Sequence, residues 1–204
     1  MTPRPAVFLD RDDTLIECRA LPAPPPPAAH GDLTDPDLVR LLPGVLDGCA
    51  SLRKAGLALV VITNQGVIAR GGASPADVER IHDRVRHALS VNGGCLIDGI
   101  YYCPFHPRGL LPEYTKEHSW RKPAPGMIQT AATELSLDLS RSYLIGDAPR
   151  DIEAGEAAGL KGRCILIGTD CTFTQAVTQI LSQTAHPTTS GLSPARSPPR
   201  GTAP

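Results

Sequence analysis

The stretch Val7-Phe8-Leu9-Asp10-Arg11-Asp12-Asp13-Thr14 decides how the rest of the chain is interpreted. Its apolar first half predicts a short buried strand, and its second half carries aspartates two residues apart into the following turn. Carboxylates crowded at a strand end repel each other unless a cation neutralises them, and their oxygens suit a hard divalent ion such as Mg²⁺. One acid can then attack an electrophile while its neighbour transfers a proton. The alternative is a polar turn after an edge strand.

The length of 204 residues predicts one domain with a sizeable core, which we assign to residues 1–184. Residues 185–204 are rich in proline, serine and threonine and are predicted to be a disordered tail. A net charge of −1 indicates no nucleic-acid partner, and no apolar run is long enough to span a membrane. Because the N-terminus runs straight into the first strand, we expect no signal peptide and a cytoplasmic protein. We also expect free thiols and a monomer.

Apolar runs and helical patterns alternate along the chain. Strands are predicted over residues 5–9, 57–63, 98–103, 142–146 and 163–167. Helices are predicted over 44–55, from Ser74 onward, over 125–136 and 149–158, and more weakly over 173–183. This alternation favours an α/β fold with a parallel sheet covered by helices on both faces, where ligands bind beyond the carboxyl ends of the strands. Residues 20–32, with four successive prolines, predict a stiff exposed loop.

Three later segments carry polar groups suited to chemistry with the first. Thr63-Asn64-Gln65 follows the second strand, Arg121-Lys122-Pro123 precedes a helix, and Gly146-Asp147 ends the fourth strand. Taken singly, Thr63-Asn64-Gln65 is more often a hydrogen-bonded turn and Arg121-Lys122 more often a solvated surface, while Gly146 lets the backbone turn tightly at its strand end. We interpret Asp151, in the first turn of the next helix, as a favourable charge on the helix dipole.

Taken together, the segments predict phosphoryl transfer. Asp10 attacks phosphorus, while Asp12 protonates the leaving oxygen and then deprotonates water, so Asp10 starts ionised and Asp12 starts protonated. Asp147 and Asp10 hold Mg²⁺. Thr63 and Lys122 bind the phosphoryl oxygens as charge redistributes.

Four motifs, in order over roughly residues 5–170, resemble those of the haloacid dehalogenase (HAD) superfamily of phosphatases. They are Phe8 to Leu15, Thr63-Asn64-Gln65, Arg121-Lys122-Pro123 and Gly146-Asp147. Further residues resemble the branch that contains the D-glycero-D-manno-heptose 1,7-bisphosphate 7-phosphatases and the histidinol-phosphate phosphatases. They are Leu42 to Val45, Ile68 to Gly71, Asp98 to Pro104 and Arg121 to Met127. Four motifs in register are far more specific than one.

The resemblance implies a Rossmann-like HAD core without a large cap domain, Mg²⁺ dependence and a small phosphorylated sugar or similar metabolite as substrate. It implies that Asp10 is the nucleophile and Asp12 the proton donor, and that Thr63 and Lys122 hold the phosphoryl group. The implied metal ligands are Asp10, Asp147 and the backbone carbonyl of Asp12. The substrate-binding residues are expected to be Asn64, Gln65, Arg70 and Arg121.

Three departures from the family pattern stand out. Asp13 replaces the glycine that is usual before Thr14, and the 20–32 loop replaces a glycine-tyrosine segment near the site entrance. The third departure concerns a zinc clamp that is frequent in the close family. Here Phe105 occupies the histidine position, and His118 and Trp120 occupy two cysteine positions.

We therefore expect no structural zinc. Cys103, His106 and His118 are a conceivable set of ligands, but structural zinc usually requires four. Packing of Phe105, Tyr114 and Trp120 is expected to replace the clamp.

The first functional hypothesis is a Mg²⁺-dependent phosphatase that acts on the 7-phosphate of the heptose bisphosphate. A close alternative keeps the reaction but changes the substrate to histidinol phosphate or another small phosphoester. An alternative of another class is a phosphate-binding module without turnover, which the presence of Asp10, Asp12, Lys122 and Asp147 disfavours.

Overall fold

A five-stranded parallel sheet forms the centre of the computed structural model, which describes residues 2–185. Its strands are β1 (Ala6–Leu9), β2 (Ala58–Asn64), β5 (Gly99–Cys103), β6 (Tyr143–Gly146) and β7 (Cys164–Leu166). They lie in the order β5-β2-β1-β6-β7, which puts β1 in the middle. All five predicted strands are confirmed. A small antiparallel hairpin of β3 (Ser90–Val91) and β4 (Gly94–Cys95) was not predicted.

Five α-helices connect or follow these strands. They are α1 (Val45–Lys54), α2 (Pro75–Ala88), α3 (Gly126–Glu134), α4 (Pro149–Ala157) and α5 (Phe173–Ala185). Short 3-10 helices cover Pro36–Leu38, Pro112–Tyr114 and Leu139–Arg141. The predicted start of α2 is confirmed by a capping box, in which Ser74 Oγ accepts from Asp77 N at 3.2 Å and Asp77 Oδ2 accepts from Ser74 N at 2.7 Å.

Helices cover both faces of the sheet, as the sequence predicted. Val7 and Leu9 of β1 belong to one buried cluster with apolar residues of α1, α2 and α5. Ala6 and Phe8 belong to a second buried cluster with residues of α3 and α4. Successive residues of a strand point to opposite faces, so an uninterrupted apolar strand such as β1 is buried on both sides.

The proline-rich loop at residues 20–32 contains turns and bends but no helix or strand. An ion pair links this loop to the segment after β2: Arg70 Nη2 donates to both carboxylate oxygens of Asp32, at 2.8 and 2.7 Å. The predicted tail at 185–204 lies outside the described residues, except for Ala185. Among residues 2–185, no helix has the length and apolar character needed to cross a membrane.

Candidate active site

The carboxyl ends of β1, β2 and β6 lie side by side, and their terminal residues create the site. Asp10 follows β1, Thr63 lies near the end of β2 and Asp147 follows β6. Gly146 is needed here for close approach, since a Cβ on it would lie 2.4 Å from Cβ of Asp151. The missing side chain therefore lets the first turn of α4 press against the end of β6.

A buried lysine links two of the acids. Lys122 Nζ lies 2.6 Å from Oδ1 of Asp10 and 2.6 Å from Oδ1 of Asp151, and it donates to the Ile62 carbonyl at 2.9 Å. All three charged side chains are almost completely buried. Burial opposes the charge on Lys122, but Asp10 and Asp151 outweigh it and raise the pKa of the ammonium group. Lys122 is therefore a fixed cation inside the site.

Asp151 does more than the sequence interpretation assigned to it. Its Oδ2 accepts from Ala148 N at 3.0 Å, which is a helix-capping contact, but its Oδ1 faces Lys122. The correction has a simple cause: Asp151 lies four residues after Asp147 across the start of α4, and close packing against Gly146 turns it into the pocket. The four-residue spacing was the available signal.

Three carboxylates come together in a way that fits a metal ion. Within residues 2–185, Asp10, Asp147 and Asp151 are the one group of three metal-ligating side chains whose ligand atoms all lie within 4.8 Å of one another. Oδ1 of Asp147 is buried without a hydrogen-bond partner, while its Oδ2 accepts from Arg19 Nη2 at 2.5 Å. An unsatisfied oxygen among acceptor-only groups suits a hard divalent cation. The carboxylate of Asp12 is not part of this group.

Asp12 lies in a different environment, although it is only two residues from Asp10. Its Oδ1 accepts from Arg11 Nε at 2.8 Å and from Cys18 Sγ at 3.2 Å. Its Oδ2 accepts from Gln65 Nε2 at 2.8 Å and from Arg11 Nη2 at 3.2 Å. Every one of these contacts favours the ionised carboxylate.

The pKa values of the two acids are split in the direction opposite to the prediction. Burial raises the pKa of Asp10, with Lys122 opposing the shift and Asp151 adding to it. Burial also acts to raise the pKa of Asp12, but the Arg11 guanidinium and the donated hydrogen bonds outweigh it and lower the value. Among the protein's own groups, Asp12 is thus the more readily ionised acid.

The residues of the Thr63-Asn64-Gln65 segment bond to different parts of the site. Gln65 Nε2 bridges Oγ1 of Thr63, at 2.9 Å, and the carboxylate of Asp12, so Gln65 contacts the second acid of the pair. Asn64 was predicted to contact substrate, which stays a prediction, and in the structure its amide bonds to the Lys122 backbone. Its Oδ1 accepts from Lys122 N and its Nδ2 donates to Lys122 O, each at 3.0 Å. Asn64 therefore anchors the backbone that carries Lys122.

Arg70 and Arg121, both predicted to bind substrate, meet above Gly66. A Cβ on Gly66 would lie 3.3 Å from Arg70 Nη1, 3.4 Å from Arg121 Nη1 and 3.0 Å from Cδ2 of His106. Burial lowers the pKa of His106, and Arg121 and Arg70 lower it further. We call Arg70, His106 and Arg121 the Gly66 basic cluster, and its members repel one another in the absence of an anion. The sequence did not indicate His106 as a member.

Aromatic side chains support the loop that carries Arg121. The rings of Phe105 and His118 are stacked with centroids 4.4 Å apart, Tyr114 lies 6.0 Å from Phe105, and Lys116 Nζ lies 4.2 Å from the Phe105 centroid. Trp120 joins this aromatic stack edge-on, 6.2 Å from His118. The Phe105 carbonyl accepts from Arg121 Nη1 at 3.1 Å, so the stack also positions that guanidinium.

The conceivable zinc ligands are engaged differently. Nδ1 of His118 accepts from Trp120 N at 3.1 Å, and Nδ1 of His106 accepts from Arg108 N at 3.0 Å. Cys103 Sγ donates to the Phe105 carbonyl at 3.8 Å. The expectation of no structural zinc stays a prediction, for which metal analysis is the test.

Two buried residues behind Asp12 were missed. Arg11 is fully buried, and His82 of α2 is fully buried with both ring nitrogens unpartnered. The Tyr102 ring lies 5.1 Å from the His82 ring. Burial, followed by Arg11 and Arg86, lowers the pKa of His82 to about 3. His82 falls on the apolar stripe of α2 at helical spacing, which was the one available signal.

A strand-end aspartate paired with a buried lysine, beside an acidic group that fits a divalent ion, defines a hydrolase of the HAD class. The family model described as HAD-hyrolase-like matches residues 119–189. The D-glycero-beta-D-manno-heptose-1,7-bisphosphate 7-phosphatase of Salmonella typhi is 38% identical over 165 residues, which is 81% of each chain. The enzyme of the same name from Yersinia pestis is 36% identical over the same shares.

A solved structure also indicates similarity to heptose bisphosphate phosphatases. The chain is similar to the crystal structure of D,D-heptose 1.7-bisphosphate phosphatase from B. bronchiseptica complexed with magnesium and phosphate, with a TM-score of 0.69 and 26% identity. The match covers 88% of this chain and 99% of that one. The chain therefore belongs to the heptose bisphosphate phosphatase family of HAD phosphatases, and it is a phosphoric monoester hydrolase.

Proposed function

We propose that this phosphatase removes the 7-phosphate of D-glycero-D-manno-heptose 1,7-bisphosphate, with Mg²⁺ as cofactor and through a phosphoryl group carried on Asp10. The observation that carries the proposal is the presence of two neighbouring cationic sites. Lys122 lies beside Asp10. The Gly66 basic cluster surrounds the residue that follows Gln65 in the chain, and Gln65 bonds to Asp12. A substrate with two phosphates has an anion for each site. The names of the relatives supply the sugar.

Asp10 and Lys122 carry out the first step. Lys122 contacts Oδ1 of Asp10, which leaves Oδ2 to attack phosphorus. The bond from phosphorus to the leaving oxygen breaks as the new bond to Asp10 forms, and Lys122 and the Thr63 hydroxyl stabilise the phosphoryl oxygens. Asp10, Asp147 and the Asp12 carbonyl, beside Asp151, would hold Mg²⁺, whose positive charge would offset the repulsion of the nucleophile and the phosphate.

Asp12 transfers the protons. Its lowered pKa suits the second step, in which it takes a proton from the water that attacks the phosphoryl-aspartate. For the first step it must be protonated, and a bound phosphate ester acts in that direction because its negative charge raises the pKa of a neighbouring carboxyl. Gln65 and Arg11 hold Asp12 in place while its charge changes.

The Gly66 basic cluster receives the second phosphate. Arg70 is partly neutralised by Asp32, so Arg121 supplies the larger unsatisfied positive charge. Burial lowers the pKa of Arg121; the Cys103 thiol opposes this, while Arg150 and Arg70 lower it further. An anion at this place relieves the repulsion, which makes the cluster selective for a bisphosphate over a monophosphate.

The test is a phosphate-release assay with Mg²⁺ on the heptose bisphosphate, histidinol phosphate and p-nitrophenyl phosphate. We expect kcat/KM to be highest for the bisphosphate, by at least about tenfold, since a charge-assisted contact is worth that much. Arg121→Ala should raise KM for the bisphosphate and leave p-nitrophenyl phosphate unaffected. Preference for histidinol phosphate would contradict the proposed substrate. Equal rates for Asp10→Asn and the parent would contradict the whole mechanism and favour a silent binding module.

A further inference from the structure

Asp13 organises the chain that leaves the site. It adopts a left-handed backbone conformation with φ of 55°, which aspartate tolerates better than most residues. Its Oδ1 accepts from the backbone N–H groups of Cys18, at 3.0 Å, and Arg19, at 2.9 Å. The side chain of Asp13 thus has its own structural role, which glycine at this position cannot fulfil.

Arg19 extends from this turn across the acidic group. Its Nη2 donates to Oδ2 of Asp147 at 2.5 Å, and its Nε lies 3.4 Å from Oδ2 of Asp13. The Arg19 side chain is 60% exposed, whereas that of Asp147 is 6% exposed. The guanidinium therefore lies at the boundary between the buried acids and solvent. Its Nη1 has no acceptor among the described residues, so donors remain for a ligand that arrives from outside.

The balance of charge explains why a cation is useful at this boundary. The pocket contains two buried cations, Arg11 and Lys122. It contains five carboxylates, those of Asp10, Asp12, Asp13, Asp147 and Asp151. Even with a divalent ion in place, fully ionised carboxylates would leave an excess of negative charge, which repels an approaching phosphate dianion. Arg19 compensates that excess on the side from which the substrate arrives.

We propose that Arg19, positioned by Asp13, binds the anionic oxygens of the phosphate group that enters the acidic site. The inference rests on the proposed function, because it takes Asp10 as the place where the phosphate reacts. Oδ1 of Asp147 stays free of Arg19, so substrate binding by Arg19 and metal binding by Asp147 are compatible. Arg19 is then a determinant of phosphate affinity that lies outside the four HAD motifs.

The test compares Arg19→Ala with Arg80→Ala in the full chain. Arg80 is a matched control, because it is 61% exposed and forms an ion pair with Asp77 on α2. Calorimetric binding of inorganic phosphate, with and without Mg²⁺, is measured beside kcat and KM for p-nitrophenyl phosphate. For Arg19→Ala we expect the phosphate dissociation constant and KM to rise about fivefold to tenfold, because the variant loses one exposed charge-assisted contact. The value of kcat should change less than about twofold. Arg19→Lys should recover part of the loss, and Arg80→Ala should match the parent.

A second variant tests the positioning by Asp13. Asp13→Gly suits the positive φ, so the fold is retained, but it removes both hydrogen bonds to the 18–19 backbone. We expect a smaller rise in the phosphate dissociation constant than for Arg19→Ala, and no further rise when the two changes are combined.

Three results would overturn the inference. One is unchanged phosphate binding in Arg19→Ala. Another is an Arg19→Ala effect that changes only the Mg²⁺ concentration giving half-maximal activity, because Arg19 would then act on Asp147 alone. Additive effects of Asp13→Gly and Arg19→Ala would remove the positioning role. Failure of the proposed function is recognised separately, because turnover of the parent would then equal that of Asp10→Asn.

Discussion

Asp10 and Asp12 leave the same strand two residues apart, yet the two sides of the site surround them differently. On the Lys122 side, Asp10 and Asp151 share one buried cation. On the Arg11 side, Asp12 accepts from Arg11, Cys18 and Gln65, and His82 lies behind with no hydrogen bond. On the Lys122 side two carboxylates share one cation, whereas on the Arg11 side one carboxylate accepts hydrogen bonds from several donors. This difference assigns opposite pKa shifts to chemically identical groups.

The largest expected effect comes from removing the nucleophile on the Lys122 side. Asp10→Asn keeps the volume and the contact with Lys122 but cannot form the phosphoryl-aspartate, so kcat for p-nitrophenyl phosphate should fall by at least about 10⁴-fold. The melting temperature should not fall, because the change removes one of two acids that compete for one buried cation. Asp37→Asn, on the surface, is the control and should leave the rate unchanged.

The next effect comes from breaking the shared cation. Lys122→Met leaves Asp10 and Asp151 buried without their partner, and the free energy of unfolding at pH 7 should fall by about 3–5 kcal/mol. Urea denaturation measures it. Adding Asp151→Asn should restore a large part of the loss, since one fewer charge then needs neutralisation. Independent, additive losses in the double variant would show that the three side chains are not coupled.

A pH effect tests the Arg11 side. The pKa of His82 is lowered to about 3 in the folded protein, by burial first and then by Arg11 and Arg86, while Asp12 acts weakly against the shift. Glu79 lies 3.7 Å from Nδ1 and Tyr102 packs on the ring, but neither forms a hydrogen bond with it. A group with a lowered folded pKa stabilises the native state above its unfolded value, near 6.5, and that stability is lost as the pH falls towards 3.

His82→Leu removes this dependence. Between pH 7 and pH 5 the parent should lose about 2 kcal/mol more of its free energy of unfolding than His82→Leu does. Denaturation curves at both pH values give the difference, in which titration of the other groups cancels. Parallel pH profiles for the two proteins would mean that His82 is protonated, or solvated, in the native state.

The smallest expected effect concerns Asn64, which anchors Lys122 from β2. Asn64→Ala removes two hydrogen bonds to the Lys122 backbone and should lower kcat by about tenfold through misplacement of the ammonium group. Asn64→Asp keeps the acceptor for Lys122 N and should lose less. A rise in KM with kcat unchanged would instead support the sequence-based role of Asn64 as a substrate contact.

The sheet and the residues at its strand ends were predictable because periodicity and strand-end position are local properties of the chain. Asp10, Thr63 and Asp147 needed only the rule that parallel strands end at one edge. The partners of each acid were not predictable in this way. Arg11 is adjacent to Asp12 in the chain, but only the turn after β1 decides that its guanidinium folds back on that carboxylate, and this contact reverses the expected pKa split.

Three further contacts could not be foreseen for the same reason. Asp151 was interpreted from its place in a helix, which is local, while its contact with Lys122 depends on how closely α4 packs on Gly146. Asn64 was interpreted by its residue type, while its hydrogen bonds depend on the path of a loop 58 residues away. Convergence of Arg70, His106 and Arg121 likewise depends on two loops meeting above one glycine.

The aromatic stack around Phe105 and His118 has a consequence for how the enzyme withstands a changing environment. Rings held by dispersion and by a nearby ammonium group neither exchange ligands nor form disulfides. The position of Arg121, which donates to the Phe105 carbonyl, therefore depends on ring packing and on the Cys103 thiol, which donates to the same carbonyl. A change that loosens the rings would move the guanidinium without touching the acidic site.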